Sequence, residues 1–169
     1  MDHNLEKRII ELATKKRVIL ATAESCTGGF LAHRLTNVPG ASAVFWGGWV
    51  IYSNEAKMVE LDVSPNTIEK KGAVSQEVAE EMARAALLKS GASMTVSLTG
   101  IAGPGGGSTE KPVGLVYIGL AWRMDNGSAS NKIEISSQKH LLCSTDRLLF
   151  KEEATDTALQ WMRDKLMRC

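Results

Sequence analysis

"VILATAESCTGGFLAHRL", residues 18–35, decides how this chain is read. Residues 17–23, "RVILATA", form the short apolar run of a buried strand. From Phe30 onward the apolar residues Phe30, Leu31, Leu35 and Val38 recur at helical spacing, until Pro39-Gly40 stops them. Between strand and helix lie Glu24, Ser25, Cys26, Thr27, Gly28 and Gly29, a concentration of small polar groups at one junction. In an α/β protein, ligands favour the crevice beyond the carboxyl ends of the strands, where this junction falls.

The same alternation extends in both directions. Upstream, residues 4–16 carry Leu5, Ile9, Leu12 and Ala13 at helical spacing, with a basic end that suits the negative pole of a helix. Downstream, residues 43–52, "AVFWGGWVIY", predict a second strand that delivers Tyr52 and Ser53 to a turn; Ser53 or Asn54 then caps a helix over "NEAKMVEL". Residues 64–72 read as a short helix or turn with Pro65 near its start. Residues 75–91 read as a helix with Ser75 as N-cap and Gly91 as its left-handed stop. Strands are expected at 93–100, at 114–122 and within 131–142, the last two joined by the hairpin signal Asp125-Asn126-Gly127. A final helix from residue 145 to about 166 carries Leu148, Leu149, Ala154, Ala158, Trp161 and Met162 on one stripe. This order implies one α/β domain over residues 1–169, three layers deep, with a mixed sheet of about five or six strands flanked by helices.

Charge and cysteine usage exclude several classes of function. Lysine plus arginine number 20 against 19 acidic residues, so no excess of positive charge marks a nucleic-acid or anionic-membrane partner. Cys26, Cys143 and Cys169 are odd in number and widely spaced, which fits neither a disulfide framework nor a CxxC pair; a reducing cytoplasm is the expected setting. The start "MDHNLEKR" lacks the apolar core of a signal peptide, and "AVFWGGWVIY" is too short to span a bilayer as a helix. His3, His33 and His140 are scattered, so no metal is expected. Trp46, Trp49, Trp122 and Trp161 read as packing residues rather than base-stacking platforms.

Three segments follow strands, and if those strands run parallel all three reach one rim. At the first, Gly28 and Gly29 permit close approach while helix-start N–H groups face outward, a corner fit for phosphate or an oxyanion. No Walker A loop or GxGxxG fingerprint occurs there, and the ordinary alternative is that Ser25 and Thr27 only cap the helix. At the second, Lys57 sits near a helix start, where the dipole disfavours a cation, with Tyr52 about one turn before it. A neutral amine so placed can take a proton from a serine hydroxyl; equally, Glu24 and Glu55 can hold Lys57 charged as an anion-binding group. The third segment, residues 99–114, holds six glycines and two prolines. Its N–H groups can form a phosphate nest or an oxyanion hole, or the loop is a simple connection. Arg147, after Asp146, is either a phosphate ligand or a surface arginine.

The strings "AESCTGG" (23–29), "YSNEAK" (52–57), "GAVS" (72–75), "TGIAGPGGG" (99–107) and "KPVG" (111–114), in that order, resemble the C-terminal domain of the competence/damage-inducible protein CinA. That domain is also found as a stand-alone nicotinamide mononucleotide deamidase, and the resemblance covers residues 5–165. It implies an amidohydrolase of pyridine nucleotide salvage that converts nicotinamide mononucleotide and water to nicotinate mononucleotide and ammonia without a metal or other cofactor. Larger family members carry an additional N-terminal domain associated with ADP-ribose hydrolysis, an activity that is not carried over. The family string Gly-Asp-Arg before the last helix is replaced here by Thr145-Asp146-Arg147, so the backbone of that loop is expected to differ.

Residue by residue, the resemblance implies Ser25 and Lys57 as a catalytic dyad with Tyr52 alongside, orienting or relaying a proton. Glu24, Cys26, Thr27, Gly28, Gly29, Thr99, Gly100, Ala102, Gly103 and Arg147 are the expected substrate-binding residues. The partner is a small-molecule nucleotide, and the apolar second strand offers material for a homodimer contact. A non-catalytic nucleotide-binding or regulatory module fits the glycine loops equally well but gives no reason for a serine and a lysine to meet.

Overall fold

Every residue of strand β1, Leu20–Glu24, is buried, as befits a strand covered on both faces and flanked on both edges. In this computed structural model, which describes residues 5–124, 132–144 and 146–168, β1 pairs in parallel with β2, Phe45–Val50, and with β3, Met94–Gly100. Strand β4, Leu115–Met124, runs antiparallel to β3, and β5, Lys132–Leu141, antiparallel to β4, giving the order β2-β1-β3-β4-β5. The chain is thus a single α/β domain with a five-stranded open mixed sheet. The predicted turn at 125–127 lies outside the described residues.

Helices α1 (Leu5–Lys16), α2 (Phe30–Thr36) and α6 (Arg147–Arg168) cover one face. Their buried Ile9, Leu31, Leu35, Phe150, Leu159 and Met162 pack on Leu20, Met94, Val96, Leu98, Ile118 and Leu120 of the sheet. Arg34 ties this layer together: its guanidinium, 9% exposed, donates to Glu6 of α1 and Asp156 of α6. Helices α3 (Asn54–Leu61), α4 (Pro65–Lys71) and α5 (Gln76–Ser90) cover the other face, with Leu61, Val63, Val78, Met82 and Ala86 around Ala23 and Ile51.

The alternation of β3 explains how α5 lies so close. Met94, Val96 and Leu98 enter the first core, whereas Thr95 and Ser97 donate to the carbonyls of Ala83 and Ala79 on α5, at 2.6 Å each. A side chain at Gly119 of β4 would come within 2.3 Å of the Ala79 carbonyl, so only glycine admits the helix there.

Three expectations shift, and one open choice closes. Residues 17–19 are not strand, because Arg17 ends α1 with φ +56° and the Val18 N–H turns back to the Ala13 carbonyl. Strand β2 covers Phe45–Val50 rather than residues 43–52, because residues 41–43 form a 3-10 turn and residues 51–53 lead into α3. Ser53, not Asn54, caps α3. On α6, Leu148 and Leu149 are exposed rather than on the buried stripe, which runs instead through Phe150, Ala154, Ala158, Leu159, Met162 and Leu166. In that first turn it is Phe150 that faces the sheet, against Gly100 of β3, and Leu148 and Leu149 lie on other sides of the helix. Among the described residues no helix is long and apolar enough to cross a membrane.

Candidate active site

The parallel pairing of β1, β2 and β3 sends the three segments after them to one rim. There they enclose a hollow of about 270 Å³ lined by Ser25, Cys26, Tyr52, Asn54, Lys57, Ala73, Val74, residues 99–103, Gly105, Gly106 and Arg147.

The polar junction after β1 divides its labour. Ser25 extends the ladder by one bond, its N–H donating to the Leu98 carbonyl at 2.9 Å, so its hydroxyl is fixed at the strand end. Gly28 and Gly29, at φ +63° and +92°, swing the chain from strand into α2. They do not line the hollow: their conformation serves the turn, and a side chain at Gly29 would come within 3.2 Å of Val50.

Glu24 is also not a lining residue. It is fully buried, and its carboxylate accepts from Thr27 Oγ1 at 2.7 Å, the Leu31 N–H at 3.0 Å and the Ala32 N–H at 2.8 Å. The protein's own anion therefore fills the N-terminus of α2, where the sequence reading places a free anion corner. That function also accounts for Thr27, and neither Ser25 nor Thr27 caps the helix with its side chain, since the N-cap position is Gly29.

Lys57 lies in the second turn of α3, whose N-cap Ser53 accepts from the Ala56 N–H at 3.0 Å. Side chains on a helix lean toward its N-terminus, and Nζ accordingly reaches back over the start of α3. It lies 2.9 Å from Ser25 Oγ, 3.0 Å from the Ile51 carbonyl, 3.3 Å from that of Tyr52 and 3.5 Å from that of Ser53.

All four neighbours are neutral oxygens, and among the described residues no carboxylate pairs with Lys57, neither Glu24 nor Glu55. The residue is 1% exposed, and burial lowers its pKa below the ordinary 10.5. A neutral amine has two N–H bonds and one lone pair. In that form the carbonyls of Ile51 and Tyr52 can accept the two N–H bonds, which leaves the lone pair for the serine hydroxyl.

Cys26 lines the hollow beside Ser25, yet its thiol is pushed up to about 12 by burial first of all, with the Glu24 charge adding to the rise. It stays protonated and is no competing nucleophile.

The opposite wall is the glycine loop. Thr99 donates to the Ala73 carbonyl at 2.8 Å, and Lys111 Nζ donates to the carbonyls of Lys71 and, at 2.8 Å, Val74, which holds the 72–75 turn against that loop. Gly100 is required by packing, since a side chain there would meet the Leu115 carbonyl at 2.7 Å. Among the described residues the N–H groups of Ala102, Gly103, Gly105 and Gly106 make no hydrogen bond.

At the mouth, Arg147 Nη1 donates to Tyr52 Oη at 3.0 Å. The Tyr52 hydroxyl is therefore turned to Arg147, and Tyr52 meets Lys57 through its main-chain carbonyl. Thr145 lies outside the described residues. Asp146 caps α6, accepting from the N–H groups of Leu148 and Leu149 at 2.9 Å each. The carbonyls of Ile51 and Tyr52, with Asn54, Ala73, Val74, Gly105 and Gly106, are site groups that the sequence reading did not single out. Among the described residues no three His, Cys, Asp or Glu side chains converge as a metal site.

Known proteins share this sequence pattern and fold. The sequence model of the CinA C-terminal domain matches residues 2–166. A CinA-like protein of Chloroherpeton thalassium is 48% identical over 165 residues, covering 98% of this chain and 38% of the relative. A putative competence-damage inducible protein of Alkaliphilus metalliredigens is 47% identical, with 99% and 38% covered. The chain thus spans well under half the length of these relatives. The crystal structure of a competence/damage inducible protein from Agrobacterium tumefaciens superposes with a TM-score of 0.88 at 38% identity, covering 97% of this chain and 94% of that one. A CinA superfamily protein of Klebsiella pneumoniae gives 0.88 at 30% identity, with 99% and 98% covered. With the family model spanning nearly its whole length, the chain belongs to the CinA C-terminal domain family.

Proposed function

We propose that this chain is a nicotinamide mononucleotide deamidase that releases ammonia and nicotinate mononucleotide, a step of pyridine nucleotide salvage. The observation that carries the amide chemistry is the 2.9 Å contact between Ser25 Oγ and a buried Lys57 Nζ inside a hollow. The sequence strings shared with the family support the nucleotide substrate.

Lys57, neutral, takes the Ser25 proton as Oγ attacks the carboxamide carbon, and N–H groups of the 102–106 loop steady the oxyanion. The tetrahedral adduct collapses, the amine leaves as ammonia with the proton that Lys57 carried, and an ester on Ser25 remains. Lys57 then takes a proton from water, hydroxide adds to the ester, and the proton returns to Ser25 as nicotinate mononucleotide departs. Tyr52 and Arg147 hold the mouth. No step calls for a metal or cofactor.

Incubating the protein with nicotinamide mononucleotide tests the reading, with equimolar ammonia and nicotinate mononucleotide as the expected products. Tight binding without product would identify a nucleotide-binding module instead.

For the setting and assembly we propose the cytoplasm, where the free Cys26 and Cys143 stay reduced, and a homodimer. Strand β2 is an open sheet edge whose Trp46 and Val50 are 54% and 57% exposed. A monomer mass by light scattering would overturn the dimer.

A further inference from the structure

Ala73 and Val74 wall the hollow, yet the segment that carries them, between α4 and α5, belongs to no helix or strand. Among the described residues no main-chain N–H reaches the carbonyls of residues 71–74. Side chains take all four. Ser75 Oγ donates to that of Gly72 at 2.9 Å, and Thr99 Oγ1 to that of Ala73 at 2.8 Å. Lys111 Nζ alone donates to the other two, those of Lys71 and Val74. Lys71 is the last residue of α4, so the ammonium stands at the negative pole of that helix and satisfies one of its orphan acceptors.

Lys111 belongs to the loop that forms the opposite wall. It lies on the returning limb, where its N–H donates to Ser108 Oγ at 3.0 Å and its carbonyl accepts from the Ser108 N–H at 2.8 Å. The outgoing limb, residues 102–106, makes no main-chain hydrogen bond among the described residues. Gly107 seats it against the returning limb, so closely that a side chain there would come within 2.7 Å of the Val113 nitrogen. Lys111 itself lines no part of the hollow. One ammonium outside the cavity thus joins the 71–74 wall to the loop whose N–H groups face the reacting carbon.

We infer that Lys111 is a positioning residue for the reaction proposed above, on which the inference rests. It acts through the two walls, fixing the distance between them and with it the place of the N–H groups that steady the oxyanion. Those groups bind the transition state more strongly than the bound amide, so loss of the ammonium falls on kcat and spares KM.

The test is the single-turnover rate constant of ammonia release from nicotinamide mononucleotide, with protein in saturating excess so that the folded fraction does not enter. Lys111→Met is expected to lower it at least about tenfold, with the half-saturating concentration within about twofold of the unaltered protein's. Lys111→Cys is expected to lose as much and to regain its rate on treatment with 2-bromoethylamine, which rebuilds the stem and the ammonium on the thiol. Lys111→Met treated in the same way controls for reaction at the exposed Cys143 and is expected to stay slow. A smaller fall, a loss carried by half-saturation alone, or no recovery on aminoethylation overturns the inference. Should methionine unfold the chain, Lys111→Gln, a neutral donor, takes its place with the same expectation.

A second measurement separates this inference from the function it rests on. The amide NMR signals of Val74, Gly103 and Gly105 are expected to shift in Lys111→Met and to return in aminoethylated Lys111→Cys. Such shifts in a protein that deamidates nothing would overturn the enzyme reading and keep the brace between the walls. Signals unmoved by Lys111→Met would overturn the brace whatever the turnover.

Discussion

Replacing Lys57 by methionine turns its protonation into a stability measurement. Methionine keeps the unbranched stem in a site that is 1% exposed but removes the amine. It takes the amine donor away from the carbonyls of Ile51 and Tyr52, a loss that does not depend on pH. What does depend on pH is the proton of the native lysine. Burial holds its folded pKa below the ordinary 10.5. Between that lowered value and 10.5 the unfolded chain binds one proton more than the folded one. Stability of the unaltered protein must therefore rise with pH across this window, relative to Lys57→Met, and be lost as pH falls through it. The slope is at most about 1.4 kcal/mol per pH unit, or roughly 3–6 °C in Tm for a chain of this size. Paired urea titrations of the two proteins from pH 6 to pH 11 measure the difference directly. A difference that stays flat, or falls as pH rises, would refute the reasoning, because the lysine would then be as well charged in the fold as in water and unable to act as a base.

The other expected outcomes concern the groups around the dyad. Glu24→Ala orphans three donors at the start of α2 and is expected to cost about 3 kcal/mol in denaturant unfolding, a destabilisation far beyond that of an exposed carboxylate. Thr22 is fully buried on β1 with a hydroxyl that has no partner among the described residues, so Thr22→Val is expected to raise stability by about 1 kcal/mol in the same assay. Iodoacetamide at pH 8 is expected to modify the exposed Cys143 and spare Cys26, read by peptide mass mapping; rapid labelling of Cys26 would contradict its burial and its raised pKa.

The fold was legible where one residue's chemistry settles one local question. The apolar run into Ser25, the Ser53 and Ser75 caps and the Gly91 stop each correspond to a single backbone event, and the parallel order of β1, β2 and β3 brings their carboxyl ends together. The family strings singled out Ser25 and Lys57, whose side chains are in contact.

The illegible parts are relations between distant groups. Glu24 reaches N–H groups seven and eight residues away, so its place at the start of α2 leaves no short spacing to read. The lysine's acceptors are main-chain carbonyls, which every residue carries and no sequence advertises. Leu148 and Leu149 fit a helical stripe by spacing, yet in that turn Phe150 is the residue that faces the sheet, and spacing within one turn does not tell which side does.

The central claim is that the Ser25 hydroxyl attacks an amide with Lys57 as its base, and initial rates of ammonia release from nicotinamide mononucleotide test it most directly. Ser25→Ala and Lys57→Met, each confirmed as folded by circular dichroism, are expected to lose at least about a thousandfold in kcat/KM. Either variant working at the rate of the unaltered protein would contradict the account.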